Sequence, residues 1–267
     1  MVPSPFLAAW TCLDEKPVAY DDERQLKESV SLPRLDHLLV LIPAWNPDQQ
    51  LIRLVEDLVA YGFAAILITD DGSHSDSQPI FQYLETIPSV HLLHHSLNLG
   101  KGRALKTGFN YILSDLPLIE GIITADADGQ HTAPDIAAVA TAMEIGSNRV
   151  VLGVREFAND VPFRNRFGNV LTKHIFGLLT RMKISDTQTG LRAFPRNHLQ
   201  QLVRLRGERY EYEMTVLAHI CWYTGKPREI PIRTIYLHGN RSSHFHPVWD
   251  SMKIYFVLVR FYLSSVR

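Results

Sequence analysis

The sequence Leu118-Ile-Glu-Gly-Ile-Ile-Thr124, followed after one alanine by Asp126-Ala-Asp-Gly-Gln-His131, joins a short apolar run to a cluster of polar side chains. Asp126, Asp128 and Gln130 alternate along an extended or turning backbone, so their side-chain oxygens can converge on one point. Carboxylate and carbonyl oxygens are the ligands that Mg²⁺ and Mn²⁺ prefer. The stretch therefore predicts a strand that ends at a divalent-cation site able to carry a diphosphate, with a solvated turn as the alternative.

The composition is that of a globular protein, because 46% of the 267 residues are hydrophobic and 10% are aromatic. A chain of this length can bury the core of one large domain or of a domain with an appendage. The formal net charge of −1 argues against nucleic acid as a partner. The two cysteines do not suggest a disulfide framework or a zinc site, and the first ten residues lack a secretory signal. We therefore expect a cytoplasmic protein.

The C-terminal segment has the spacing of an amphipathic helix. Its large apolar residues recur three and four residues apart, and its basic residues recur every seven: Trp249, Met252, Phe256, Val259 and Leu263, against Lys253, Arg260 and Arg267. Its longest apolar run falls short of the roughly 18 to 20 residues that span a bilayer. We expect a terminal helix that either docks on the core or lies on an anionic membrane surface.

Short apolar runs alternate with helical patterns in the first 155 residues, which predicts a mostly parallel sheet flanked by helices. The predicted strands are Leu38–Ile42, Ala64–Thr69, Val90–His94, Gly121–Thr124 and Val150–Val154. The predicted crossover helices are Gln49–Tyr61 and Lys101–Leu113. Ligands of open α/β sheets collect beyond the carboxyl ends of the strands, so the loops after these strands are expected to form the site.

Polar side chains follow four of these strands. Asp70 and Asp71 can accept hydrogen bonds from a base or a ribose, or else form a turn before a helix that Ser73 or Ser75 caps. Lys101, between two glycines at the start of a helix, can approach phosphate oxygens, although the spacing is not that of a P-loop. The glycine fingerprint of dinucleotide-binding folds is absent from the first strand turn, which disfavours a nicotinamide or flavin cofactor.

Seven motifs in order give the chain a resemblance to the family 2 glycosyltransferases of GT-A fold, and most closely to dolichol-phosphate mannose synthase and bacterial polyprenyl-phosphate glycosyltransferases. These motifs are Ile42-Pro-Ala-Trp-Asn46, Asp70-Asp-Gly-Ser73, Asn98-Leu-Gly-Lys-Gly102, Ala125-Asp-Ala-Asp-Gly-Gln-His131, Val151-Leu-Gly-Val-Arg155, Arg164-Asn-Arg-Phe-Gly168 and Asp186-Thr-Gln-Thr-Gly-Leu-Arg192. The first motif departs from the family, which often has an acidic residue where this chain has Pro47. The resemblance divides the chain into an N-terminal extension (1–37), a catalytic domain with a Rossmann-like central sheet (38–236), and an acceptor loop with the amphipathic helix (237–267).

The resemblance implies an inverting transfer of a sugar from GDP-mannose or a UDP-hexose to a polyprenyl or dolichyl phosphate, at the cytoplasmic face of a membrane and beside a membrane-embedded partner protein. Mg²⁺ or Mn²⁺ held by Asp128 and Gln130 would neutralise the leaving diphosphate. The nucleotide sugar would contact the four loops, through Pro43, Asn46, Asp70, Asp71, Lys101, Asp126, Ala127 and Asp128. Pro43 could instead simply end its strand. The residues implied in catalysis are Asp126, Asp128, Arg155 and Asp186.

The implied acceptor is a phosphate monoester, whose second pKa of about 6 leaves it ionised at neutral pH without a general base. Arg155, Arg164 and Arg166 are the residues expected to bind it, because guanidinium groups grip phosphate bidentately. Asp186 and Arg192 either pair with each other or form a wall of the site.

Two other functional classes stay open. A sugar or protein hydroxyl as acceptor would need a general base, for which Asp186 and Glu213 are the candidates. At most one of Glu211 and Glu213 can face the site from the helix that is expected to begin at Glu208. A non-catalytic nucleotide-sugar binder is the third class.

Overall fold

A computed structural model describes residues 35–155, 172–178 and 180–233 of the chain. Arg164, Arg166, most of the predicted N-terminal extension, and the predicted acceptor loop and amphipathic helix lie outside these residues. None of the helices within the described ranges is both long enough and apolar enough to cross a membrane.

Seven strands form one sheet. They are β1 (Leu38–Ala44), β2 (Ala65–Asp70), β3 (Val90–His94), β4 (Gly121–Thr124), β5 (Val151–Arg155), β6 (Arg192–Pro195) and β7 (Arg228–Ile232). The five predicted strands are confirmed, each end within two residues. Pro43 does not end β1, which continues to Ala44 and pairs Pro43 with Thr69 of β2. β6 and β7 were not predicted.

The strand order is β3-β2-β1-β4-β6-β5-β7. β1 pairs in parallel with β2 and β4, β2 with β3, and β5 with β7. β6 runs antiparallel to both of its neighbours, β4 and β5. The predicted mostly parallel sheet is therefore confirmed, and the carboxyl ends of β1 to β4 lie along one edge.

Helices cover both faces of the sheet. They are α1 (Gln49–Ala60), α2 (Gln78–Leu84), α3 (Lys101–Asp115), α4 (Ala133–Thr141), α5 (residues 172–178), α6 (Leu199–Arg204) and α7 (Glu211–Tyr223). Side chains alternate across β1, so Val40 and Ile42 pack with α1, α2 and α4, whereas Leu39 and Leu41 pack with α3, α6 and α7. The result is a three-layer α/β/α arrangement.

The first residues of the helices show which capping residues and helix starts expected from the sequence are present. The side chain of Asp48 accepts a hydrogen bond from Gln50 N at 2.8 Å and so caps α1. Neither Ser73 nor Ser75 caps α2, which begins at Gln78 after a 3₁₀ turn. The Ser73 hydroxyl instead accepts from Asn46 N in the loop after β1, at 2.8 Å. α7 begins three residues later than expected, at Glu211.

Candidate active site

The loops after β1 and β2 are joined by hydrogen bonds between their backbones and side chains. Asn46 has a φ of +48°, a left-handed conformation that asparagine tolerates better than most residues. Its Oδ1 accepts from His74 N at 2.8 Å, and its backbone N donates to Ser73. This predicted site residue therefore fixes the spacing between two loops at the edge of the sheet.

Asp70 and Asp71 are buried and hydrogen bonded within the protein, since only 2% and 3% of their surfaces are exposed. Asp71 Oδ1 accepts from Leu99 N at 2.9 Å, and its Oδ2 accepts from Gly100 N at 2.7 Å. His95 Nδ1 lies 2.8 Å from Asp71 Oδ1. The carboxylate of Asp71 thus holds the turn that leads into α3 and Lys101.

Asp70 holds its own loop in the same way. Its Oδ1 accepts from Ser73 N at 2.9 Å, and its Oδ2 lies 3.0 Å from His94 Nδ1. The turn that was the alternative prediction for this pair is therefore present, and both carboxylates of the predicted nucleoside pocket already accept hydrogen bonds from the protein.

Lys101 lies between two carboxylates. Its Nζ is 2.6 Å from Asp126 Oδ1 and 2.8 Å from Glu213 Oε2. Burial opposes the charged form, but the two carboxylates outweigh it and raise the pKa of Lys101 above its usual value. Of the two acidic residues that begin α7, it is therefore Glu213 that faces the site.

Asp126 is also in contact with His131, whose Nε2 lies 3.4 Å from Asp126 Oδ2. Burial works against ionisation, but Lys101 and His131 hold the pKa of Asp126 below its usual range. His131 is itself 5% exposed, and neither of its ring nitrogens has a hydrogen-bond partner among the described residues. One oxygen of Asp126 is therefore paired with Lys101, and the other lies beside the His131 ring without a hydrogen bond to it.

Asp128 is the less neutralised carboxylate of the pair. Burial and the charge of Asp126 raise the pKa of Asp128, and its Oδ1 accepts one hydrogen bond, from Gln130 N at 3.1 Å. Within the described ranges, no three His, Cys, Asp or Glu side chains are grouped to hold a metal ion. The carboxylate of Asp128 and the amide oxygen of Gln130 are the types of ligand that a hard cation takes. Such a cation can be bound through one or two carboxylates when oxygen atoms of the substrate complete its shell.

The loop from Asp186 to Arg192 packs against the side chain of Asp126. A Cβ at Gly190 would lie 2.5 Å and 2.6 Å from the two Asp126 oxygens, so only glycine leaves room for that carboxylate. Arg192 is 2% exposed and donates through Nη1 to the carbonyl oxygen of Glu213 at 2.7 Å. Burial lowers the pKa of Arg192, although nearby carboxylates, chiefly Glu213, oppose this.

Asp186 pairs with Arg155. Arg155 donates through Nε to Asp186 Oδ2 at 2.7 Å and through Nη2 to Oδ1 at 3.2 Å, a bidentate ion pair. The alternative pairing of Asp186 with Arg192 is therefore wrong, because Arg192 spends its Nε and Nη1 donors on backbone carbonyl groups. The structure brings together two sequence motifs, one at the end of β5 and one before β6.

Two histidines and one glycine of this site were missed from the sequence. His131 belongs to the quoted acidic cluster, and His95 directly follows β3, as Asp71 follows β2. Position at a strand end was thus a usable signal for both histidines. Gly190 had no such signal, because its role depends on a carboxylate that is distant in sequence.

The chain matches known glycosyltransferases over most of its length. The family described as Glycosyl transferase family 2 matches residues 39–203. UDP-N-acetylglucosamine–dolichyl-phosphate N-acetylglucosaminyltransferase of Methanococcus voltae is 30% identical over 250 residues, which cover 86% of this chain and 97% of that protein. Undecaprenyl-phosphate 4-deoxy-4-formamido-L-arabinose transferase of Sodalis glossinidius is 26% identical over 218 residues, 78% of this chain and 62% of that protein.

Solved structures confirm the fold. Glucosyl-3-phosphoglycerate synthase of Mycobacterium tuberculosis, crystallised with Mn²⁺, UDP and glucosyl-3-phosphoglycerate, superposes with a TM-score of 0.58 at 13% identity, covering 84% of this chain and 78% of that one. The predicted GT-A architecture is therefore present in the described residues. With the sequence matches, it establishes that this chain belongs to Glycosyl transferase family 2 and is a glycosyltransferase.

Proposed function

We propose that this enzyme transfers a sugar, with inversion, from a nucleotide-diphosphate sugar such as GDP-mannose or a UDP-hexose to a polyprenyl or dolichyl phosphate. The names of two relatives support this acceptor class, since one acts on dolichyl phosphate and the other on undecaprenyl phosphate. The donor class is that of the family.

The observation that carries the proposal is the pairing of the two candidate general bases. Asp186 Oδ2 lies 2.7 Å from Arg155 Nε, and Glu213 Oε2 lies 2.8 Å from Lys101 Nζ. A hydroxyl acceptor needs a carboxylate oxygen that is placed to take up its proton, whereas each of these two carboxylates is already in contact with a cationic side chain of the protein. A phosphate acceptor has already lost that proton at neutral pH, so it can attack without either residue.

On the donor side, Asp128 and Gln130, with Asp126 beside them, would hold Mg²⁺ or Mn²⁺. When bound, the cation would supply Lewis-acid neutralisation of the charge that develops on the leaving diphosphate. Lys101 brings a second positive charge to the same place, and the neighbouring Ala127 backbone lines it. The proposed pocket for the nucleoside is formed by the ends of β1 and β2 and the loops that follow them, with Pro43, Asn46, Asp70 and Asp71.

On the acceptor side, Arg155 would bind the lipid phosphate, with Asp186 fixing the orientation of its guanidinium group. Bidentate pairing holds a planar fork in one position, which suits recognition of a second anion. Arg164 and Arg166, which lie outside the described residues, are the other two residues proposed to bind this phosphate.

The proposed place of action is the cytoplasmic surface of a membrane. A lipid phosphate presents its head group at that surface, and the basic edge of the amphipathic segment within 237–267 would favour anionic lipids. A membrane-embedded protein is the proposed partner there. The catalytic domain is proposed to span residues 38–236.

The test is a panel of nucleotide sugars, incubated with Mg²⁺ or Mn²⁺ and a short polyprenyl phosphate. Glycosylated lipid and released nucleotide diphosphate are both measured. We expect one donor to give lipid product that disappears when EDTA is added. Donor hydrolysis without lipid product, or transfer to a sugar or protein hydroxyl, would overturn the proposed acceptor.

A further inference from the structure

The starts of α3 and α7 are packed closely enough to bring Lys101 and Glu213 together. A Cβ at Gly100 would lie 2.4 Å from the carbonyl oxygen of Glu208, and one at Gly102 would lie 2.5 Å from Tyr212 Cβ. Any larger residue would push the two segments apart. The glycines on either side of Lys101 therefore serve helix packing in this chain.

Glu208 also holds the starts of α3 and α7 together, through hydrogen bonds and an ion pair. Its carbonyl oxygen accepts from Arg103 N at 2.9 Å. Its side chain accepts from Lys106 Nζ at 3.0 Å, and its other carboxylate oxygen lies 2.7 Å from Arg103 Nε. The first turn of α3 is thus fixed against the segment that leads into α7.

Glu213 is held at its backbone as well, because its carbonyl oxygen accepts from the buried Arg192. Its side chain is 15% exposed, and its Oε2 lies 2.8 Å from Lys101 Nζ. Glu211, on the same helical turn, points elsewhere: its Oε1 accepts from the backbone nitrogens of Glu208 and Arg209, at 3.0 Å and 3.3 Å. Only one of these two carboxylates therefore contacts the lysine.

We propose that Glu213 is a positioning residue for the donor: it holds the ammonium group of Lys101 at the place where the diphosphate binds. The inference rests on the proposed function, because it assumes that the diphosphate occupies the site beside Asp126 and Asp128. A lysine side chain has four rotatable bonds, and ordering it only when the ligand arrives costs free energy of binding. The carboxylate of Glu213 orders it beforehand.

Loss of the Glu213 carboxylate would have two opposite effects on nucleotide affinity, one through its charge and one through the positioning of Lys101. Removing a negative charge near a diphosphate would by itself tighten nucleotide binding. Losing the preorganisation of Lys101 would weaken binding, by roughly fivefold for one ordered side chain. We expect the second effect to dominate, since of its two carboxylate contacts the ammonium group would keep only the one with Asp126.

The experiment is calorimetric titration of the full chain with UDP and with GDP, each in the presence of Mn²⁺. Glu213→Gln should weaken binding of whichever nucleotide the wild type binds by roughly fivefold, and Glu213→Asp should recover part of that loss. Glu211→Gln removes the same charge from the same turn and should change affinity less than about twofold. In a Lys101→Met background, Glu213→Gln should have little further effect, because its role acts through the lysine.

Each outcome has one meaning. Tighter or unchanged binding by Glu213→Gln, or an equal loss with and without Lys101, would overturn the positioning role and leave the proposed function standing. Absence of UDP and GDP binding by the wild type would overturn both. An unfolding midpoint for Glu213→Gln equal to that of the wild type separates positioning from a general loss of structure.

Discussion

Two aspartate pairs at the same edge of the sheet have different environments. Asp70 and Asp71, at the end of β2, are nearly inaccessible and accept hydrogen bonds from backbone nitrogens of their own and the next loop. Asp126 and Asp128, at the end of β4, are partly exposed, and a lysine and a histidine side chain engage the first of them. β1 alone separates the two strands.

The difference in environment distinguishes carboxylates that support the loops from carboxylates that are available to a ligand. A buried carboxylate that accepts several backbone hydrogen bonds stabilises a loop conformation, because no water can replace those bonds. A partly exposed carboxylate next to another of the same sign, such as Asp128 beside Asp126, favours the approach of a further cation. The first pair thus shapes the loops of the site, and the second pair is the one that we propose to bind the metal and the diphosphate.

The largest expected effect comes from Asp128→Asn. Turnover should fall by about 10² to 10³, since a carboxylate proposed to hold the metal is lost. Mn²⁺ binding, measured by electron paramagnetic resonance without donor or acceptor, should weaken in parallel. An unchanged rate at limiting metal would contradict the assignment.

The same variant should not lose stability. Because the pKa of Asp128 is raised, the stability linked to its protonation is present at low pH and is lost as the pH rises through the folded-state value. Asparagine cannot ionise, so urea unfolding at neutral pH should give a free energy of unfolding equal to or slightly above that of the wild type. A clear destabilisation would place Asp128 among the supporting residues.

Asp71→Asn should show the opposite profile. Asparagine keeps one acceptor oxygen but turns an NH₂ group toward a backbone N–H, so a buried hydrogen bond is lost and two donors face each other. We expect the free energy of unfolding to fall by about 2 kcal/mol. Urea unfolding checks this. Unchanged stability together with lost nucleotide affinity would mean that the carboxylate serves the ligand rather than the fold.

Gly190→Ala should affect the second pair although neither of its two aspartates is substituted. The added methyl group would overlap the Asp126 oxygens, and displacing them would disturb the contact with Lys101. We expect turnover to fall about tenfold, as a small misplacement near the reacting groups allows. The thermal midpoint should change little, because the crowded atoms belong to a side chain. Full activity would show that Asp126 can move freely.

The smallest effect should come from His94→Ala. Its imidazole contacts Asp70, but its side chain is 43% exposed, and partly exposed ion pairs contribute less than about 1 kcal/mol. The matched variant His95→Ala removes a ring with a 9% exposed side chain that joins Asp71 to Thr107, and it should cost more. Equal unfolding free energies for the two variants would contradict the ranking by burial.

Local patterns in the sequence were enough to predict β1 to β5, because each is an apolar run that ends at a polar turn. β7 escaped because it begins with the charged residues Arg228 and Glu229, which are exposed or half-buried, and so is not an apolar run. β6 escaped because it begins with Arg192, a charged residue whose burial depends on carbonyl groups from other segments. A search for apolar runs misses strands in which tertiary contacts, rather than hydrophobic side chains, determine the position of charged residues.

The candidate site was predictable as a set of loops, since parallel strands bring their carboxyl ends to one edge. The pairings between charged side chains of the site were not predictable from the sequence. The partners Lys101 and Glu213 begin two helices that meet only because glycines allow it, and the pairing of Asp186 with Arg155 depends on the placement of β5 beside β6. Such contacts between distant motifs follow from packing, which residue spacing does not encode.

The most direct test of the central claim compares two acceptors that differ only in their head group. The enzyme, its donor and Mg²⁺ or Mn²⁺ are incubated with a short polyprenyl phosphate or with the corresponding polyprenol, and glycosylated lipid is measured for each. The account predicts transfer to the phosphate and none to the alcohol, because the two candidate bases are held by Arg155 and Lys101. Transfer to the alcohol at a comparable rate would contradict it.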